Sequence, residues 1–377
     1  MGTLFRQYRS GLATAAILVA VLLVILVLTH LIGSPLLGRF VTLMFIDLVL
    51  VLGLQVFMGN TNVLWFPHIG FMGIGAYASA ILSMSPVQKA MALHHLYPLL
   101  AGIHVPFVPA LLGGALVATA VAAILGLPLM RLSDYPLVIT SFALLVIIHV
   151  VLTHWNALTN GPQTFFGVEP LTTLDNAAVC ACLVTVVACA FKESKTGMQL
   201  RASRDDPVSA ASIGVNMVKV RWIALIVSAF IAGLGGGLFA HLITSFTPKA
   251  FFLTETFVVL AMLVIGGPRT VTGAVLGTLV VSVVYQSLRW VENTANVMQV
   301  FSGNIAGLTD TALSILLILM LVLRPAGLVE WQEVGPRRAR PTGSEEALST
   351  TQRRAPLEGH PVPPGQRTGG PALADQE

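Results

Sequence analysis

From Leu12 to Ile32 the chain runs 21 residues without an Asp, Glu, Lys or Arg. A helix needs about 20 such residues to cross the hydrocarbon core of a bilayer. Similar apolar runs recur along most of the chain. Charged residues make up 10% of the sequence and mean hydropathy is +0.83, whereas a soluble domain carries about 25% charged residues. A soluble enzyme or soluble binding module is thereby excluded, and the bilayer is the solvent to reason about. The first run is too long for a secretory h-region, and no small-residue cleavage site follows it. It reads as an uncleaved span with its N-terminus in the cytoplasm. Further spans are expected at about 40–58, 67–84, 106–130, 136–155, 177–191, 222–244, 253–265, 272–289 and 309–323. The predicted fold is all-α, a polytopic membrane bundle of about ten transmembrane helices.

Charge tests this layout. Ten spans put both termini on one side. Arg6, Arg9, Arg131, Lys192, Lys195, Arg201, Arg204, Lys219, Arg221 and Arg269 then fall inside, together with seven arginines from Arg324 onward. Only Arg39, Lys89, Lys249 and Arg289 fall outside. Basic residues concentrate on the cytoplasmic side of membrane proteins, so the asymmetry favours a layout with both termini cytoplasmic. Residues 1–328 form the predicted transmembrane domain. Beyond it, residues 329–377 read as a cytoplasmic disordered tail. From Arg324 the chain holds eight of its 21 prolines, seven arginines and seven acidic residues, which cannot bury enough apolar surface to offset ordering entropy.

Small residues crowd several spans. Gly233-Leu-Gly-Gly-Gly237 and Gly273-Ala-Val-Leu-Gly277 carry GxxxG spacing, which lets helix backbones approach closely. Gly73-Ile-Gly-Ala-Tyr77 is similar. The segments Gly59–Ala80 and Gly266–Val280 share a coarse pattern that tight helical hairpins or an old duplication would both produce. Cys180, Cys182 and Cys189 share one apolar stretch and read as small core residues.

Catalytic signals are missing. The chain has no H-E-x-x-H pattern and no G-x-S-x-G elbow. None of its five lysines follows a glycine, so there is no P-loop. His94, His95 and His104 have no carboxylate beside them and read as solvated loop residues. No metal site is expected. Asp47 is the one clear intramembrane acid. Ionised at a helix centre it would cost about 2.5–3.5 kcal/mol, so it must face the bundle or be neutral. Uphill transport would draw on an ion gradient or on ATP used by another chain.

The loop 192–221 is the longest charged cytoplasmic connection inside the predicted membrane domain. It contains a compact helix signal at about Pro207–Ile213. Asp206 suits the N-cap, Pro207 the first helical position, Ala210 and Ala211 the interior, and Gly214 the left-handed stop. A loop that only fixes topology needs no capped helix; a docking element does.

These residues carry a resemblance. Arg201-Ala-Ser-Arg204-Asp205-Asp206, then Ala210-Ala211 and Gly214, resembles the cytoplasmic coupling loop of ABC importer permeases. More closely, it resembles the LivM-type permease subunit of bacterial branched-chain amino acid transporters. Ser228–His241, Gly266–Gly277, Leu323–Leu328, Phe71–Tyr77 and Leu158–Pro162 extend the likeness in the family's order. The resemblance implies a chain without catalysis of its own. A second homologous permease, two cytoplasmic ATPases that use ATP and Mg, and a periplasmic solute-binding protein would complete the importer. No cofactor on this chain and no nucleic-acid partner are implied; the bilayer is its other partner.

Three departures stand out. Gly59–His68 keeps His68 but brings in Trp65 and Pro67. Asn160-Gly161 replaces the usual double glycine. Ser133-Asp-Tyr lacks the usual glycine after Arg131-Leu132. Asn60, Asn62, His68, Thr159, Asn160 and Gln163 are the candidate solute contacts, with capping of helix ends as the competing role for each. Since related permeases carry urea and short amides, the cargo is branched-chain or other amino acids, or such amides. The rival mechanisms are a self-sufficient secondary transporter using Asp47 and a membrane-embedded enzyme.

Overall fold

In lipid no water reaches an exposed peptide group, so an apolar chain satisfies its backbone within helices. A computed structural model describes residues 2–93, 96–297, 307–323, 327–329 and Glu333. The helices in chain order are α1 (Gly2–Ile32), α2 (Pro35–Leu54), α3 (His68–Ser83), α4 (Pro86–Ala92), α5 (Pro98–Ala101), α6 (Phe107–Leu129), α7 (Asp134–His154) and α8 (Asn156–Thr159). They continue as α9 (Leu174–Glu193), α10 (Lys195–Asp205), α11 (Pro207–Ser212), α12 (Met217–Ile243), α13 (Leu253–Gly266), α14 (Val271–Val297) and α15 (Leu308–Leu323). Helix α2 runs on into a π-helical turn at Gln55–Gly59. Among the described residues the one isolated β-type pairing joins Phe165 to Phe246.

Eight of these segments are long and apolar enough to cross a membrane. The other two expected spans fall on α3 and α15, each of 16 residues. At about 1.5 Å per residue, 16 residues reach about 24 Å, short of a hydrocarbon core of about 30 Å. The chain is a multi-pass all-helical membrane protein. His94, His95 and most of the tail lie outside the described residues.

Helices α3, α6 and α12 form the centre, and glycine explains why they can. A Cβ added at Gly75 would stand 2.4 Å from the Cα of Gly233; one at Gly236 would stand 2.0 Å from the carbonyl oxygen of Met72. One at Gly114 would stand 2.6 Å from the carbonyl oxygen of Gly75. The three backbones touch directly, as the glycine-rich stretches predict. A second such contact joins α13 to α14. There, added carbons at Gly266 and Gly277 would stand 2.0 and 2.1 Å from the carbonyl oxygens of Gly273 and Met262.

Helix α1 lies at the periphery, antiparallel to α9. His30 meets Asp175 at 2.9 Å at one end, and Gly11 abuts Glu193 at the other. The three cysteines lie on α9 as free thiols. The Gly11–Glu193 end also gathers Lys192, Arg204, Arg269 and the Arg221–Asp134 ion pair. At the opposite end, buried Lys89 donates to the carbonyls of Leu100 and Ile103 and closes the connection between α4 and α6.

Past α15, residues on either side of the expected tail boundary at 328/329 bond to the bundle. Leu328 and Val329 donate backbone hydrogen bonds to Ile265 and Gly266 (2.9 and 3.1 Å). Glu333, placed in the disordered tail by composition, bonds to α14 and Lys192. Composition averaged over 54 residues hides one carboxylate with specific long-range partners.

Candidate functional site

The connection between α9 and α12 is built as two helices rather than one. The sequence reading placed only the second. Ser194 caps α10, its Oγ accepting from the Gly197 amide at 3.1 Å. Gly197, Leu200 and Ser203 turn inward. Arg201 is half-buried. Arg204 also lies inward, its side chain 12% exposed, and donates to the carbonyl oxygen of Gly59 at 3.3 Å while pairing with exposed Asp205 at 3.0 Å.

Helix α11 matches the expected stretch. Asp206 has extended backbone geometry, and its Oδ1 accepts from the amides of Val208 and Ser209, both at 3.0 Å. The Ser209 hydroxyl donates to Oδ2 at 2.5 Å. That hydroxyl bond foremost, and then the amides, hold the Asp206 carboxyl below the usual carboxylate range. Pro207 fills the first helical position. Ala210 is buried, whereas Ala211 faces out with Val208 and Ile213, which are 75% and 78% exposed. Gly214 stops the helix at φ +85°, and an added Cβ would meet nothing within 4 Å. Its glycine requirement is therefore one of backbone conformation rather than space. Asn216 then caps α12 through the amide of Lys219 (3.0 Å).

Gly59, gripped by Arg204, closes the π turn that begins at Gln55. π turns recur at functional positions in helices. Gly59 lies against the α13–α14 connection: an added Cβ would stand 2.2 Å from the carbonyl oxygen of Pro268. The Gln55 side chain is fully buried, and neither its amide N nor its amide O has a hydrogen-bond partner among the described residues. From Asn62 the chain turns back into the bundle without helical structure. Trp65 packs on Phe57 (centroids 4.8 Å apart) with its indole N–H buried and without a partner among the described residues.

This segment delivers His68 to the first position of α3. Its Nε2 lies 2.9 Å from the carbonyl oxygen of Leu50, and its Nδ1 lies 3.2 Å from the Ser228 hydroxyl. A carbonyl only accepts, so the proton sits on Nε2, and Nδ1 accepts from Ser228. Leu50 precedes Gly59 by nine residues, about 14 Å along a helix. Helix α3 therefore begins inside the membrane thickness, and no side-chain hydrogen bond caps it.

The six solute-contact candidates do not form one site. Asn60 donates to Val56 (2.9 Å), and Asn62, exposed, takes a left-handed conformation at φ 59°. Both sit near Gly59. His68 lies in the interior. Thr159, Asn160 and Gln163 lie at the opposite end. The Thr159 hydroxyl donates to the carbonyls of Leu152 (2.6 Å) and Trp155 (2.8 Å). Asn160 and Gly161 are both left-handed (φ 61° and 64°), so the departure from a double glycine preserves the turn. Gln163 is exposed.

That turn leads to a feature the sequence reading missed. Phe165 and Phe246 exchange two backbone hydrogen bonds of 2.8 and 3.0 Å. Their rings and that of Phe251 surround Tyr77 of α3 at centroid distances of 5.3, 5.0 and 5.9 Å. The Tyr77 hydroxyl is buried without a partner among the described residues. This aromatic layer lies about nine residues, or about 14 Å, beyond His68 along α3. Asp47 also has company: Glu255, in the first turn of α13, lies within electrostatic reach of it. Among the described residues no group of three His, Cys, Asp or Glu side chains could hold a metal ion.

Comparison with known proteins decides the family. Residues 36–323 match the family described as branched-chain amino acid transport system / permease component. The chain belongs to that family of ABC transporter permeases. It is 26% identical over 322 residues to the high-affinity branched-chain amino acid transport system permease protein LivM of Escherichia coli K12, covering 76% of this chain and 68% of that protein. A guanosine ABC transporter permease protein, NupQ of Bacillus subtilis, is 33% identical over 70 residues, 19% of this chain and 22% of NupQ. A nucleoside ABC transporter permease protein, NupC of Lactococcus lactis, is 26% identical over 87 residues, covering 23% of this chain and 27% of NupC. Members of this kind are membrane subunits of ABC systems and are not themselves enzymes.

Proposed function

We propose that this chain is the permease subunit of an ABC importer for branched-chain or other amino acids. Two partner ATPases, which hold the ATP and Mg, energise it. A second homologous permease completes the pathway, and a periplasmic binding protein delivers the solute. Both termini face the cytoplasm of a bacterial inner membrane. Residues 1–328 are the permease domain, 192–221 its coupling loop and 329–377 its tail.

The observation that carries this reading is the capped helix α11. It offers Val208 and Ile213 to a cytoplasmic partner and is tied through α10 and Arg204 to Gly59. ATP-driven closure of the ATPases pushes α11, and the displacement reaches the π turn above it. Arg201, Arg204, Asp205, Asp206, Pro207, Ala210, Ala211 and Gly214 form the coupling set. His68, with Ser228, Gln55 and Trp65, supplies the interior polar contacts. Asn62, Asn160 and Gln163 belong to the approaches at either end, and Asn60 and Thr159 spend their polar groups on their own helix ends.

A second reading, nucleoside import, is favoured by the partial likeness to the guanosine permease NupQ and the nucleoside permease NupC. Reconstitution of the chain with its three kinds of partner tests both. ATP-dependent uptake of leucine but not guanosine supports the first, and the reverse supports the second. The chain alone should neither hydrolyse ATP nor accumulate solute. Gradient-driven uptake by the chain alone, abolished by Asp47→Asn, would replace both with a secondary transporter.

A further inference from the structure

Beyond α15 the chain returns to the α13–α14 hairpin. Gly327 is left-handed at φ +81° and lies so close to Gly267 that an added Cβ would stand 2.5 Å from its Cα. Leu328 and Val329 are fixed by backbone bonds to the end of α13. Glu333 then covers the start of α14. Its Oε1 accepts from the Val271 amide at 2.9 Å. Its Oε2 accepts from the Thr272 amide at 3.0 Å and the Thr272 hydroxyl at 2.5 Å. Thr270 takes the next amide, that of Gly273, at 3.0 Å. The same carboxylate pairs with Lys192, whose Nζ also donates to the carbonyl oxygen of Arg269 at 3.0 Å.

Both side chains are largely withdrawn from water, 12% exposed for Lys192 and 22% for Glu333. Burial alone would favour the neutral acid, yet the Lys192 charge and the bonds from Lys192 and Thr272 hold the carboxyl below the usual glutamate range. A helix cap needs only the acceptor oxygens. The lysine adds a link to another element, because Lys192 lies two residues before Ser194, the cap of α10. Glu333 also lies outside the residues matched by the family, 36–323.

We infer that Glu333 and Lys192 are positioning residues for energy coupling, joining the α13–α14 hairpin to the root of α10. Through this joint at the last turn of α9 and the Arg204–Gly59 contact of α10, the α9–α10 corner holds the bundle at two points. A push on α11 then moves the hairpin and the π turn together instead of tilting α10 alone. The inference rests on the coupling role proposed for α11.

The test uses the full chain in the assembled transporter, with E333A, K192M and the double variant compared with G214V. Membrane abundance, basal ATP hydrolysis and ATP consumed per solute imported are measured together. We expect abundance and basal hydrolysis near wild type, with ATP per solute raised at least threefold in each single variant. The double variant should be no worse than either single, because the two groups act as one joint. E333Q keeps an acceptor for the helix amides but loses the charge; it should match K192M, and it replaces E333A if that variant fails to reach the membrane. A wild-type ratio in K192M and E333Q would overturn the inference. So would a raised ratio in E333A with K192M unaffected, which reduces Glu333 to a helix cap. If G214V uncouples while K192M and E333Q do not, only this inference falls. If G214V is also silent, the coupling role of α11 falls with it.

Discussion

Gly214 and Asp206 stand at opposite ends of a six-residue helix, and each is replaceable by few residues for its own reason. A β-branched residue at Gly214 costs about 1–2 kcal/mol in left-handed backbone, with no steric contact to add to it. Gly214→Val should therefore insert normally, at membrane abundance near wild type. It should lower solute uptake and abolish stimulation of ATP hydrolysis by loaded binding protein. Asp206→Ala should do the same less severely. Full uptake and normal stimulation in Gly214→Val at equal abundance would show that the loop only anchors topology. The acid limit has a definite sign. The folded Asp206 carboxyl lies below its unfolded value, so its cap contribution is complete above about pH 4 and fades as pH falls through the folded value. Across pH 5–8 stimulated hydrolysis should then show no loss that Asp206→Asn removes; such a loss would refute the ionised cap.

At the scale of elements, the packing glycines make the sharper forecast. A Cβ at Gly236 has the carbonyl oxygen of Met72 2.0 Å away, a backbone atom that cannot rotate aside. Overpacking of this kind costs about 1–3 kcal/mol, although alanine is the better helix former by about 1 kcal/mol. Gly236→Ala should lower thermal stability and membrane abundance, while Gly38→Ala, in open space on α2, should not. Equal melting temperatures for the two variants in detergent would refute backbone contact between α3 and α12. Much of this was legible in the sequence, since the apolar runs mark the helices and Gly233–Gly237 marks the contact. Helix α10 escaped notice because its composition is polar, although Ser194 and the Leu200 stripe were there to be read. The π turn is a register change within a continuous apolar run, and periodicity does not resolve one extra residue. Residues 59–66 read as a break between spans, but nothing in Val63-Leu-Trp-Phe shows that the break turns back into the bundle. Glu255 sat within a predicted span, yet Asp47 was taken as the lone acid.

The molecule as a whole has two ends of different character, and the orientation proposed from the charge asymmetry turns the Lys192–Arg204 end to the cytoplasm. Cysteines introduced singly at Gly2, Ser194 and Thr350 should resist a membrane-impermeant reagent in intact cells, and one at His94 should react. Labelling at position 194 from outside would invert the layout. What the sequence could not show is how distant parts meet. Lys192 and Glu333 are 141 positions apart, and the solute-contact candidates scatter to both ends because proximity in a motif list is not proximity in a bundle. The direct backbone contacts carry a last consequence, for motion. Helices separated by side chains can shift by exchanging rotamers, but α3, α6 and α12 have no such cushion where Gly75, Gly233 and Gly236 meet. They must travel as one solid block, and α13 with α14 as another. Any transport cycle then displaces each block whole, and the π turn, whose Gly59 rests on Pro268 with no room for a methyl group, is carried with the second.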